Sequence, residues 1–247
     1  MNVGFFGSGI AGQMAQNKLD LISHSLANVN TDGYLEDRAA FSSQFSSKLG
    51  RDGLPEKTSA AFLSLNKQYI STQPGAIRQT GSELDFAIQG GGYFRVQLAD
   101  GSEALTRAGN FKLGTDGELL TQGNLPVLDN GGSPLTLPVG EISATTNGTI
   151  YVNNEPVGDL GIVSIIDPRK IQKVDGVLLR TPADNIGEAD ANVSVHNGSL
   201  EGSNVNSILA MAEMVECMRG FESMMKVVEQ YNQQAGLLND RVGVVQG

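Results

Sequence analysis

Met211-Ala-Glu-Met214-Val-Glu-Cys217-Met218-Arg-Gly-Phe221-Glu-Ser-Met224-Met225-Lys-Val-Val228 sets Met211, Met214, Met218, Phe221, Met225 and Val228 at steps of 3, 4, 3, 4 and 3. Apolar residues spaced that way line one narrow stripe of an α-helix. The series continues through Asn232 and Ala235 to Val242. Near the other end of the chain Ala15, Leu19, Ile22, Leu26 and Val29 repeat the pattern at steps of 4, 3, 4 and 3. Neither stripe can be buried on its own helix, so each needs a partner. The spacing predicts an antiparallel coiled coil between the two terminal helices, with further partners in neighbouring subunits.

Between the helices the period changes to two. Phe86 and Ile88, then Phe94, Val96 and Leu98, alternate with other residues, and Leu160–Ile166 reads as a buried strand. Six Asp-Gly or Asn-Gly pairs, at 100, 116, 130, 147, 175 and 197, supply the positive φ that tight hairpin turns need. The expected fold class is α+β: terminal N- and C-helices forming an antiparallel coiled coil around the termini of a central antiparallel β domain. The expected division is 1–35 for the N-terminal helix, 36–66 for an irregular or partly helical connector, 67–202 for the β domain and 203–247 for the C-terminal helix. Ser8 is the expected N-cap of the first helix and Asp32-Gly33 its terminating turn; Asn204 or Asn206 caps the second.

Composition excludes several functions. The formal charge is −10, with no Lys/Arg cluster, which argues against nucleic acid and against an anionic membrane surface. No apolar run reaches the ~18 residues of a spanning helix, so no membrane insertion is expected. Gly4, Gly7, Gly9 and Gly12 interrupt what would be the apolar region of a secretory signal. Export, if it occurs, is expected to need no cleaved Sec signal.

Catalysis has few candidates. His24 lies within the first helix and His196 beside the Asn197-Gly198 turn, with no nucleophile or acid that the sequence brings to either. Cys217, the single cysteine, reads as a small hydrophobe in a helix. Gly90-Gly91-Gly92 lacks the Lys-Ser/Thr of a phosphate loop and reads as a close backbone approach. No metal site, cofactor site or small-molecule substrate is expected, and the chain does not read as an enzyme.

The borders of the two helices carry the most specific text. Leu26-Ala27-Asn28-Val29-Asn30-Thr31-Asp32-Gly33-Tyr34, Ser203-Asn204-Val205-Asn206, and the central Leu84–Phe94 and Thr106–Phe111 resemble the corresponding motifs of bacterial flagellar rod and hook proteins. The likeness runs over nearly the whole chain in the right order. Asn28, Asn30, Gly33, Tyr34, Asn204, Asn206, Arg219 and Glu222 are its motif residues. Arg219-Gly220-Phe221-Glu222 with Leu200-Glu201-Gly202 is more like proximal-rod members than distal-rod ones. Ser23-His24-Ser25 and Leu35 depart from the family pattern.

The resemblance implies a structural subunit of the flagellar basal-body rod. Such a subunit passes through the flagellar type III export apparatus and polymerises into a helical tube in the periplasm. The tube transmits torque and serves as the export channel. Its partners would be copies of itself and other rod proteins. Leu19, Ile22, Leu26, Val29, Met211, Met214, Met218, Phe221, Met225 and Val228 are the expected interface. The alternatives are a distal rod or hook subunit, or a secreted coiled-coil binding module.

Overall fold

A computed structural model describes residues 3–46, 60–189 and 192–243, and the backbone falls into two units. One unit comprises Met1–Leu26, Arg38–Gln68 and Ser207–Gly247; the other comprises Ala27–Asp37 and Tyr69–Asn206.

The first unit holds two helices, α1 (Val3–Ala27) and α2 (Ser207–Gly243), and a two-stranded sheet of Asp37–Ser46 with Ala60–Ile70. Helix α2 runs long because no proline follows Pro182. Helix α1 starts ahead of Ser8, so Ser8 is an interior residue and not the expected N-cap. The segment 36–66 is not irregular where it is described. Phe62-Leu-Ser-Leu65 belongs to an extended strand, and strand pairing overrides the Ser-rich composition around it.

The expected coiled coil is not formed. Among the described residues the structure has two α-helices and a large antiparallel β domain, and the stripe read from the sequence stays half open. Met211, Met218 and Met225 are 48%, 48% and 50% exposed, values incompatible with knobs seated in a partner's holes. The covered face of α2 is rotated from the expected one: Ala210 is buried, and Met214, Cys217, Phe221, Met224 and Val228 are half-buried. On α1 Met14, Ile22 and Ser25 are buried, whereas Leu19 and Leu26 are only half-buried. Cys217 Sγ donates to the Ala15 carbonyl at 3.1 Å, and a Cβ added at Gly12 would lie 4.0 Å from the Phe221 ring. At Ala15 the Cys217 side chain thus reaches the backbone of α1. The side chains of Ala235 and Val242 lie outside the described residues.

The second unit is built on a six-stranded antiparallel sheet. Its order is Gln172–Asp175, Leu178–Arg180, Glu103–Thr106, Gly92–Gln97, Ile162–Ile165 and Ile186–Glu188. A three-stranded sheet places Thr149–Val152 between Glu155–Asp159 and Ile142–Ala144. Two short ladders pair Ser194–Asn197 with Phe86–Gln89, and Ser199–Glu201 with Ile77–Gln79. The alternating apolar positions meet in one core that includes Phe86, Phe94, Phe111, Leu119 and Ile150. There Phe94 and Phe111 pack edge to face, 5.2 Å between centroids. A smaller cluster gathers Leu35, Ile70, Tyr93, Leu105 and Leu179. Of the six Asp-Gly and Asn-Gly pairs, five put the glycine at positive φ; at Asn130 the next residue, Gly132, takes that role. The strand beginning at Leu160 is buried only at its start, and Ile166 is 67% exposed.

Candidate functional site

The family-like segments from both chain ends meet within the second unit, at a junction on the β domain. Asn28 begins the turn that follows α1: Thr31 Oγ1 donates to Asn28 Oδ1 at 3.1 Å, and the Thr31 amide to the Asn28 carbonyl at 3.1 Å. The turn ends on Gly33, whose φ of +69° suits a residue without Cβ. A Cβ there would stand 2.1 Å from the Ala108 amide nitrogen. The Gly33 amide instead donates to the Glu201 carbonyl at 2.7 Å.

Glu201 then reaches inward. Its Oε2 accepts from Arg107 Nη1 at 3.0 Å, and its Oε1 accepts from the Gly75 amide at 2.8 Å. Arg107 and Glu201 are 2% and 1% exposed, so the pair is desolvated. Arg107 also donates to the Gly90 carbonyl at 2.7 Å, and its guanidinium lies 4.7 Å from the centre of the Tyr93 ring. Gly90, at φ +112°, turns its carbonyl toward this cation; the Gly-rich stretch shapes an arginine seat and not a phosphate loop. Burial pushes the Tyr93 hydroxyl above its usual range of about 10, against the opposing pull of Arg107.

Asn204 closes the junction. The Glu36 amide donates to its Oδ1 at 2.7 Å, and its Nδ2 donates to the carbonyls of Ser71 at 3.1 Å and Gln73 at 2.9 Å. Its side chain is thus a clamp between two backbone segments, while Asn206 occupies the position before α2. Lys173 adds a second clamp. Its Nζ donates to the Leu35 carbonyl at 2.6 Å and to Asp37 Oδ2 at 2.7 Å, and sits 3.9 Å from the centre of the buried Tyr34 ring. Arg78 Nη2 donates to both carboxylate oxygens of Asp32, at 3.0 and 3.1 Å.

The motif residues therefore divide. Gly33, Tyr34, Asn28 and Asn204 come together here, whereas Asn30 and Asn206 are exposed, and Arg219 and Glu222 are exposed on α2. Val29 is half-buried. Arg107, Glu201 and Lys173 were not singled out from the sequence as site residues. Their pairings span 94 positions for Arg107–Glu201 and 136 for Lys173–Asp37, beyond any local spacing signal.

Nothing in this arrangement resembles a reaction centre. His196 Nε2 lies 2.8 Å from Gln89 Oε1 and 3.4 Å from Ser194 Oγ, with no carboxylate in the set. His24 is exposed on α1. Among the described residues no group of acids, histidines and cysteines could hold a metal ion, and no helix is long and apolar enough to cross a membrane.

Comparison with known proteins gives the arrangement its context. A family model described as the flagellar hook protein FlgE/F/G D1 domain matches residues 87–159, and one described as the flagellar basal body rod FlgEFG protein C-terminal matches residues 196–241. The flagellar basal-body rod protein FlgF of Rhizobium meliloti is 35% identical over 219 residues, 87% of this chain and 88% of its own. The chain belongs to the flagellar basal-body rod protein family. FlgF of Salmonella typhimurium is 33% identical over 93% of this chain and 94% of its own, and FlgG of Bacillus subtilis 31% over 90% and 92%. The chain is accordingly a structural subunit of the flagellar basal body, not an enzyme. The rod family's two matched regions each contribute to the junction: Arg107 lies in the first and Glu201 with Asn204 in the second.

Proposed function

We propose that the chain polymerises in the rod through the open face of α2, as a proximal-rod subunit beside copies of itself and other rod proteins. One observation carries this reading. Ile208, Met211, Val215, Met218 and Met225, at steps of 3, 4, 3 and 7, are 78%, 48%, 51%, 48% and 50% exposed. They form an apolar stripe next to the covered one. A surface stripe of that kind marks an interaction site. Beside it runs a groove of about 570 Å³ lined by Phe221, Met225, Val228 and Asn232, with Glu222, Lys226 and Glu229 at its rim.

Magnitudes favour a polymer over a closed pair. Covering the exposed halves of Met211, Met218 and Met225 contributes about 1 kcal/mol each. Association costs roughly 4–15 kcal/mol in lost freedom, so one such contact does not hold. Several neighbours on one helix do, and non-closing head-to-tail contacts generate a helical filament. Flexible thioethers suit a face that meets more than one kind of neighbour. Leu19, Ile22, Leu26 and Val29 would set α1 in the same inner layer. Residues 1–35 and 203–247 would supply that layer and 67–202 the outward β domain, joined by 36–66. The subunit would reach the periplasm through the flagellar type III export apparatus, and the tube would conduct later subunits and transmit torque.

The test is Met218→Asp with Met225→Asp in the producing bacterium. The double variant is expected to be exported and folded, yet absent from purified basal bodies, with swimming lost. Normal swimming with the variant in the rod would overturn the assignment of this face.

A further inference from the structure

The main core of the β unit is complete without the chain ends. Its buried residues run from Phe86 to Val195, and none comes from 27–37, 71–79 or 199–206. Those three segments bury Tyr34, Leu35, Leu200 and Val205 outside that core, and polar bonds fasten them to one another. Ser199–Glu201 pairs with Ile77–Gln79, a strand exposed along its whole length and, among the described residues, with no second neighbour. The Gly202 amide donates to the Ala76 carbonyl at 2.9 Å, and the Asn204 amide to the Tyr34 carbonyl at 3.2 Å. Glu201 and Asn204 add bonds to Gly33, Glu36, Ser71, Gln73 and Gly75, beside the Ser71 amide on the Glu36 carbonyl and the Arg78–Asp32 pair.

A fastening of this kind has a definite character. Desolvating an ion pair offsets most of its attraction, so Arg107–Glu201 adds geometry more than net stability. Elements that contribute nothing to the main core open at lower free energy than the core itself. All three segments share the same two residues as fasteners, so none can leave without loosening the others.

We infer that Leu200–Asn204 is a latch: it closes onto the preformed β core after the core has folded. Its closure fixes in one step the turn that follows α1 and the segment that leads into α2. Arg107 is the seat, Glu201 the bolt and Asn204 the clamp; Glu201 and Asn204 are positioning residues. The latch makes the entry to α2 and the exit from α1 a single cooperative element. Its use in a polymerising subunit rests on the rod reading above; its existence does not. A rod subunit with such a latch would set both helix roots together, and only once residue 204 had been delivered.

The experiment is hydrogen exchange with mass spectrometry on the purified full-length protein. In the wild type, peptides covering 27–37, 71–79 and 199–206 are expected to exchange at one common rate, about tenfold or more faster than Gly92–Gln97. Glu201→Gln and Asn204→Ala are each expected to speed all three by about tenfold, with 92–97 remaining the slowest to exchange. Unrelated rates in the three segments, or the same rate as 92–97, would overturn the latch. So would failure of both variants to fold, because a latch presupposes a core that stands without it. Loss of swimming bears on the rod reading alone, so the two can fail separately.

Discussion

Arg107 Nη1 lies 3.0 Å from Glu201 Oε2, across 94 positions of sequence, and neither side chain is more than 2% exposed. The contact ties the middle of the β domain to the entry of the C-terminal helix. Removing one partner strands the other charge in the interior, at a cost of about 3–5 kcal/mol. Glu201→Ala is expected to lower the unfolding free energy by about that amount in urea denaturation. Arg107→Met with Glu201→Leu should recover part of the loss, short of about 1 kcal/mol each for the Gly75 amide and the Gly90 carbonyl left unpaired. A single variant within about 0.5 kcal/mol of the wild type would show that the pair is hydrated.

Gly33→Ala tests the tight approach at the same place. The new Cβ would sit 2.1 Å from the Ala108 nitrogen at a φ of +69°, so backbone must move. A loss of at least about 3 kcal/mol is expected, read as a drop of roughly 6–12 °C in melting temperature. Gly101→Ala is the control, because its φ is +79° and nothing lies within 4 Å; it should cost only about 1 kcal/mol.

Tyr93 supplies a pH dependence. Burial raises its hydroxyl pKa above 10.0, with Arg107 opposing. A raised folded-state pKa means that the stability is fully present below the unfolded value near 10 and is lost as pH climbs through the folded value. Alkaline denaturation curves should therefore show stability falling above about pH 10. Tyr93→Phe, which keeps the ring beside Arg107, should flatten that fall. An identical alkaline curve for Tyr93→Phe would contradict the assignment.

The two faces of α2 should respond differently in the isolated protein. Ala210 is 7% exposed and Met218 48%. Ala210→Asp buries an unpaired charge and is expected to lower helicity and melting temperature, by about 2 kcal/mol or more. Met218→Asp should change stability by no more than about 0.5 kcal/mol. Equal effects by circular dichroism would mean that the covered and open stripes have been misassigned.

Much of this was legible in the chain. The 3-4 spacing of Met211 to Val228 announced a long helix, and the Asp-Gly and Asn-Gly turns announced hairpins, because both signals are local. The facing of α2 was not legible. A 3-4 stripe has two neighbours one residue round the helix, and the contact of Cys217 with the Ala15 carbonyl, across 202 positions, is beyond any local signal. The segment 60–70 was hidden because its strand pairing owes more to its partner than to its own composition. Gly33, Tyr34 and Asn204 were found as text, but their function as joints depends on Arg107, Glu201 and Lys173 arriving from distant strands. No spacing rule reaches that far.

The most direct test of the account is removal of this chain's gene from the producing bacterium, followed by electron microscopy of purified basal bodies. Basal bodies with an interrupted rod and no hook are expected, restored by the wild-type gene and not by the Met218→Asp, Met225→Asp form. Complete basal bodies and normal swimming in the deletion strain would contradict the assignment of this chain as a rod subunit.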